Sequence, residues 1–250
     1  MNSHDQDLDG QHVIPLLSFL DAAQRCAQES LNSNAVALSR CAELDSFINS
    51  SASSRVAVPV AAILRMNARA MFGASINTAT IGYRAGLFPT LRACLEAACY
   101  AQEVEITPGL TDVWLNRHRS NEDRKISRKA FGGAVSNTCR RLGILMPDNS
   151  GLVSRMYDAM IDDGAHPNVR SILPSIRVSD TEERYELSIG MVVPQNVEYS
   201  LFCCYEIGLF TSWLMTDLDV YDEEFWREAA RLNEVKNEWE RELIEMMPNA

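Results

Sequence analysis

The sequence lacks the features of membrane and secreted proteins. Its longest stretch without Asp, Glu, Lys or Arg is residues 70–83, which is too short and too polar to cross a bilayer. The first residues include Asp5, Asp7 and Asp9, where a secretory signal would carry basic residues. We therefore predict a cytoplasmic protein without a membrane segment.

Motifs of nucleotide and metal chemistry are missing as well. The chain has no G-x-x-x-x-G-K-[ST] loop, no G-x-G-x-x-G turn and no G-x-S-x-G elbow. The motifs that usually indicate a nucleotide hydrolase, a dinucleotide dehydrogenase or an α/β-hydrolase are therefore absent. It also has no H-E-x-x-H and no clustered cysteines and histidines with the spacing of a metal site. The sequence predicts neither a metal nor another cofactor.

Cysteine occurs at seven positions, but the number is odd and no two cysteines form a C-x-x-C pair. A chain of 250 residues can bury a sizeable core without disulfides. These cysteines lie mostly in apolar stretches that read as helices. We expect reduced, buried thiols that act as small hydrophobic side chains, which suits a cytoplasmic protein.

The composition that remains is that of an ordinary globular protein, with 46% hydrophobic and 23% charged residues. Apolar residues recur every three or four positions along most of the chain, as they do in amphipathic helices. We predict a mainly α fold, a multi-helix bundle with one appended β-hairpin. Helices are expected at about residues 13–30, 35–48, 58–76, 90–104, 108–118, 121–142, 147–163, 197–216 and 223–246. The hairpin is expected near 171–193, where apolar and polar residues alternate on both sides of a polar turn.

The predicted domain organisation is a disordered tail at 1–12 and a single helical domain over 13–250. The serine-rich run at 49–54 is the best candidate linker, so an N-terminal helical subdomain over 13–48 is the alternative.

Two residues carry more specific expectations. Pro89 should lie in the first turn of its helix, and Gly164 should cap the helix before it in the left-handed conformation.

Charge is distributed unevenly along a chain with a net charge of −11. Residues 117–141 carry eight basic and two acidic side chains, whereas residues 216–250 carry eleven acidic and four basic ones. The basic segment could contact phosphates, but it holds one aromatic residue in its helix and the rest of the chain would repel nucleic acid. We therefore favour pairing of the two segments within one chain or in a homo-oligomer over nucleic-acid binding.

Six residues form the candidate ligand or polar site. Arg92 and Glu96 are four residues apart in a helix rich in alanine and cysteine, so we expect them to pair on one face and to be largely buried. Two readings stay open for this pair: an ion pair that holds helices together, and a ligand-facing or catalytic pair. The remaining candidates are His166 and Asn168, in a loop just after a helix, and Arg117 and His118, at a helix end. For His166, two interpretations stay open: a helix-end residue, and an acid, base or ligand contact. For His118, we favour a solvated helix end over a site residue.

One segment resembles a known family. The run YRAGLFPTLRACLE at residues 83–96, followed downstream by His166 and Pro167, looks like a group of uncharacterised bacterial helical proteins loosely akin to the HEPN superfamily. That superfamily includes RNases and binding modules of toxin–antitoxin and phage-defence systems. Its active RNases carry an Arg with a His a few residues later on one helix, and Arg92 has no such His. The resemblance therefore implies a non-catalytic helical module in a bacterial defence or toxin–antitoxin system.

Two functions follow from these observations. The first is a non-enzymatic cytoplasmic module that binds a partner protein or a small ligand, with Arg92, Glu96 and His166 around a central polar site. The second is a metal-independent RNase or other phosphoester-cleaving enzyme. It would use His166 for proton transfer and Arg92 with Arg117 to stabilise phosphate charge.

Overall fold

The computed structural model describes residues 15–52, 58–147, 151–165, 169–173, 176–181, 184–189, 191–216 and 222–246. Outside the segment 176–189, about 89% of the described chain is helical, and that part contains no strand. The prediction of a mainly helical bundle is confirmed. The expected tail at 1–12 lies outside the described residues.

Eleven α-helices can be numbered in the described chain. They are α1 (Pro15–Ser33), α2 (Ala35–Ala52), α3 (Pro59–Thr80), α4 (Arg84–Ile106), α5 (Leu110–Asn116), α6 (Asn121–Phe131), α7 (Ala134–Leu145), α8 (Leu152–Met160), α9 (Val169–Ile172), α10 (Val197–Met215) and α11 (Glu223–Met246). A π-helical turn, Ile161–Ala165, continues α8, and a 3-10 turn, Pro194–Asn196, leads into α10.

Helix α10 is the centre of the bundle. Sixteen of its 19 residues are buried, and it packs against α2, α3, α4 and α11. A Cβ added to Gly208 would lie 2.8 Å from Cδ2 of Phe72 and 3.1 Å from Cδ2 of Leu44. The missing side chain at Gly208 therefore lets α2, α3 and α10 approach closely.

Helices α3 and α4 form the most extensive helix pair. They are joined through Gly82, which has a φ of +69° and whose carbonyl accepts a hydrogen bond from the amide of Val193 at 2.9 Å. A side chain there would be strained and would crowd Val193. This turn sends α4 back along α3, so that another side of α4 is left for α7, α8 and the π-helical turn.

Two helix boundaries differ from the sequence prediction. Helix α4 begins at Arg84, so Pro89 lies inside it rather than at its start. Pro89 has no N–H for the carbonyl of Ala85, and the hydroxyl of Thr90 donates to the next carbonyl, that of Gly86, at 2.7 Å. The expected single helix over 121–142 is two helices, because Gly132 and Gly133 interrupt it.

The predicted linker at 49–54 is wrong over the part that is described. Helix α2 continues through Ala52, and Ser51 and Ala52 in its last turn are buried. The hydroxyl of Ser51 donates to the carbonyl of Phe47 at 2.9 Å. Serine side chains can bond the preceding turn in this way, which lets a serine-rich run complete a helix that packs into the core.

The prediction of a β-hairpin appended to the bundle is wrong. Two short strands, β1 (Ile176–Thr181) and β2 (Arg184–Ile189), run antiparallel with Ile176 opposite Ile189. Within the described chain, the two strands pack mainly against each other. They therefore add no layer to the all-helical bundle. The expected span was also too wide, since Val169–Ile172 is helical. Alternation predicts strands, but two strands cannot form a layer with a core of their own.

The acidic C-terminal helix does not pair with the basic segment in the described chain. Arg40 of α2 donates two hydrogen bonds to Glu242 of α11, at 2.8 and 3.0 Å. Arg231 of α11 donates one to Glu43 of α2, at 2.6 Å. Both pairs join α11 to α2. The predicted intramolecular pairing is therefore not seen among the described residues, because the apolar face of α11, including the fully buried Trp239, packs on α10 and fixes which charges it meets.

Candidate functional site

Arg92 and Glu96 lie on successive turns of α4 and are directly bonded. Nε of Arg92 donates to Oε1 of Glu96 at 2.9 Å. Their side chains are 27% and 30% exposed, so the expectation that they are largely buried is wrong. The small residues that suggested burial, such as Cys94 and Ala98, lie on other sides of α4 and face the core. The pair is therefore accessible to a ligand.

Tyr157, on α8, completes the immediate surroundings of Glu96. Its hydroxyl donates to Oε1 of Glu96 at 2.6 Å, and its ring centroid lies 5.2 Å from Cζ of Arg92. Burial, followed by the hydrogen bond to Glu96, raises the pKa of Tyr157 to about 12. At neutral pH this phenol is therefore a neutral hydrogen-bond donor.

Tyr100 lies one turn beyond Glu96 on α4. Its ring packs against that of Phe131, with the centroids 4.6 Å apart. Burial raises the pKa of Tyr100, and the charge of Glu96 raises it further. The positive charges of Arg117 and Arg92 act in the opposite direction. Tyr100 of α4 and Trp114 of α5 also pack against the same apolar cluster, which brings the end of α5 towards this side of α4.

Arg117 follows the C-terminus of α5. Its Nε is buried and has no hydrogen-bond partner among the described residues, which is costly for a charged group. We call Arg92, Glu96, Tyr100, Arg117 and Tyr157 the α4 polar cluster. Its two arginines and one carboxylate carry a net charge of +1.

The other predicted site residues have different outcomes. His118 is exposed in the turn after α5. His166 and Asn168 lie outside the described residues, so their part in a shared site stays a prediction. Gly164 is not in the left-handed conformation, contrary to expectation. It lies in the π-helical turn, where an added Cβ would be 2.9 Å from Cβ of Phe88, one turn before Arg92. Close packing on α4, rather than a left-handed φ, explains this glycine.

A second ion pair on α4 is more buried than Arg92 and Glu96. Nη2 of Arg141, on α7, donates to Oε1 of Glu103 at 2.8 Å and to the hydroxyl of Thr138 at 3.1 Å. Glu103 is 7% exposed. This pair joins α4 to α7 and has the structural role that the sequence suggested for Arg92 and Glu96.

The described cysteines do not have the properties of nucleophiles. All seven are free and buried. Burial raises the pKa of Cys41, Cys94 and Cys203 to about 12, so their reactive thiolate forms are scarce at neutral pH.

Two general findings concern the described residues alone. No helix among them is both long enough and apolar enough to span a bilayer. No three of their histidine, cysteine, aspartate and glutamate side chains are grouped so that they could hold a metal ion.

Neither Tyr100 nor Tyr157 was predicted from the sequence as a site residue. Tyr100 follows Glu96 by four residues, so helical spacing could have placed it in the same row. Tyr157 is on another helix and reaches Glu96 through packing, which no local pattern reveals.

No protein-family model matches this chain, and neither the curated proteins nor the solved structures include a significant match. The resemblance to HEPN proteins therefore stays a prediction.

Proposed function

We propose that this chain is a non-enzymatic helical module that binds a small anionic ligand at the α4 polar cluster. The observation that carries the proposal is Arg117, a partly exposed arginine whose buried Nε has no partner among the described residues. An anion bound at the accessible side of this guanidinium would compensate its charge. A phosphate or carboxylate suits a guanidinium because its oxygens match the planar array of N–H donors.

The ionisation of the two tyrosines supports binding over catalysis. Their raised pKa values keep both phenols protonated near neutral pH, whereas an efficient general base has a pKa near the working pH. Glu96 already accepts hydrogen bonds from Arg92 and Tyr157. These groups are therefore suited to donating hydrogen bonds and to orienting one another.

Calorimetric titration with inorganic phosphate at low salt tests the proposal. We compare the unmodified chain with Arg117→Gln and with the control Arg119→Gln, which removes the same charge two residues later at an exposed position outside the cluster. Arg117→Gln should weaken binding by about tenfold or more, the effect of one charge-assisted hydrogen bond. Arg119→Gln should bind as the unmodified chain does. Equal losses in both variants, or no binding of phosphate at all, would contradict the proposal.

A second candidate is phosphoester cleavage by His166 with Arg92 and Arg117. The observation in its favour is that the α4 polar cluster contains two arginines, and two guanidinium groups can share one phosphate. Cleavage of a fluorescent RNA oligonucleotide by the unmodified chain, lost in His166→Gln, would favour this candidate over simple binding. The setting in bacterial defence or a toxin–antitoxin system is a proposal supported by the HEPN resemblance.

A further inference from the structure

A groove runs between α2 and α3, away from the α4 polar cluster. Its volume is about 660 Å³, within the roughly 300–1,000 Å³ typical of small-molecule sites. Apolar side chains supply most of its lining. They include Leu38, Ala42, Met66, Ala70, Phe72 and Ile76.

The groove reaches the centre of the bundle. Three buried residues, Cys41, Ala52 and Phe72, contribute to its lining, and Phe72 in turn packs against Gly208 of α10. Gly73 leaves space on the α3 side, because a Cβ added there would have no atom within 4 Å. An occupant would therefore touch apolar surface that is continuous with the core.

The charged groups in the lining neutralise each other. Asp45 of α2 accepts two hydrogen bonds from Arg69 of α3, at 3.0 and 2.8 Å. This bidentate pair joins the two walls of the groove and leaves no net charge in its lining. An extended partner segment would have to cross the bridge, whereas a small molecule could lie beside it. Asn49 is the remaining polar residue of the lining and could donate or accept one hydrogen bond.

We propose that the α2–α3 groove binds an uncharged, largely apolar small molecule. This site is independent of the anion site on α4 and differs from it in ligand chemistry. It draws on the apolar lining for affinity and on Asn49, together with the outer edges of the Asp45–Arg69 pair, for orientation.

The test uses the full-length chain and the uncharged fluorescent probe N-phenyl-1-naphthylamine, whose emission rises in apolar surroundings. Gly73→Leu directs a side chain into the open groove, so it should weaken probe binding by about tenfold or more, the equivalent of about 1.4 kcal/mol. Ala74→Leu adds a leucine at the next, exposed position of α3, outside the groove lining. It should bind the probe as the unmodified chain does.

Control measurements make each outcome decisive. Circular dichroism and thermal unfolding of Gly73→Leu should show an intact fold, since the new side chain enters open space. Arg117→Gln should bind the probe normally, which separates this site from the anion site. Failure of the unmodified chain to bind the probe, or equal binding by Gly73→Leu, would overturn the proposal. So would a change in oligomeric state caused by Gly73→Leu, because the groove would then be a contact between copies of the chain.

Discussion

At the scale of single residues, Glu96 and Glu103 show how position on one helix separates two kinds of ion pair. Both carboxylates lie on α4 and both bind an arginine. Glu96 is 30% exposed, whereas Glu103 is 7% exposed. Removing a partner of an exposed pair leaves groups that water can solvate, but removing one of a buried pair leaves a charge without compensation.

We predict that Glu96→Ala lowers the free energy of unfolding by about 1 to 2 kcal/mol, because it removes a half-exposed pair and the acceptor of Tyr157. Arg141→Ala should cost about 3 kcal/mol or more, because it leaves Glu103, which is 7% exposed, without its counter-charge. Urea denaturation of both variants checks this order. A larger loss for Glu96→Ala than for Arg141→Ala would contradict the assignment of Arg92 and Glu96 to a ligand-accessible site.

The phenol of Tyr157 gives a prediction for alkaline pH. Its folded-state pKa is about 12, above the ordinary value of 10.0, so the neutral form stabilises the fold. That stabilisation is complete below about pH 10 and is lost as the pH rises towards about 12. The difference in unfolding free energy between the unmodified chain and Tyr157→Phe should therefore shrink over this range. A difference that stays constant would show that the phenol gains nothing from its surroundings.

At the scale of secondary structure elements, hydrophobic periodicity predicted the long helices correctly. Predictions based on single residues such as proline, serine and glycine were wrong near the helix ends. The helices expected at 58–76, 197–216 and 223–246 match α3, α10 and α11 closely, because each has a strong apolar pattern. The errors lie at Pro89, at the serine-rich end of α2 and at Gly164. In each case packing against another element, or a side-chain hydrogen bond, overrode the local preference of the residue.

Helix packing also explains why two helical glycines should respond differently to one substitution. Gly208→Ala would force a methyl group against the ring of Phe72, which is 1% exposed. We expect it to destabilise the fold by about 1 to 3 kcal/mol through overpacking. Gly73→Ala meets open space and should stabilise α3 by about 0.5 to 1 kcal/mol. Thermal unfolding measures both changes, and a stable Gly208→Ala variant would contradict the close approach of α10 to α2 and α3.

At the scale of the whole molecule, the sequence predicted a helical bundle but not which faces would be left open. The position of the α4 polar cluster depends on α4, α5 and α8 meeting, and the α2–α3 groove depends on the spacing of two helices over α10. The uneven charge suggested a pairing of basic and acidic segments that the described helices do not make. Both candidate sites are thus products of tertiary packing, which explains why Arg92 and Arg117 could be nominated from sequence but Tyr157, which reaches Glu96 from another helix, could not.

The most direct test of the anion site is tyrosine-selective NMR during titration with inorganic phosphate. The ring signals of Tyr100 and Tyr157 should shift together and saturate at one phosphate concentration. The signal of Tyr205, whose hydroxyl donates to the carbonyl of Leu232 at 3.0 Å in the core, should stay fixed. In Arg117→Gln the shifts of Tyr100 and Tyr157 should be lost at the same phosphate concentration. Unmoved signals of Tyr100 and Tyr157, or equal shifts of all three tyrosines, would contradict binding at the α4 polar cluster.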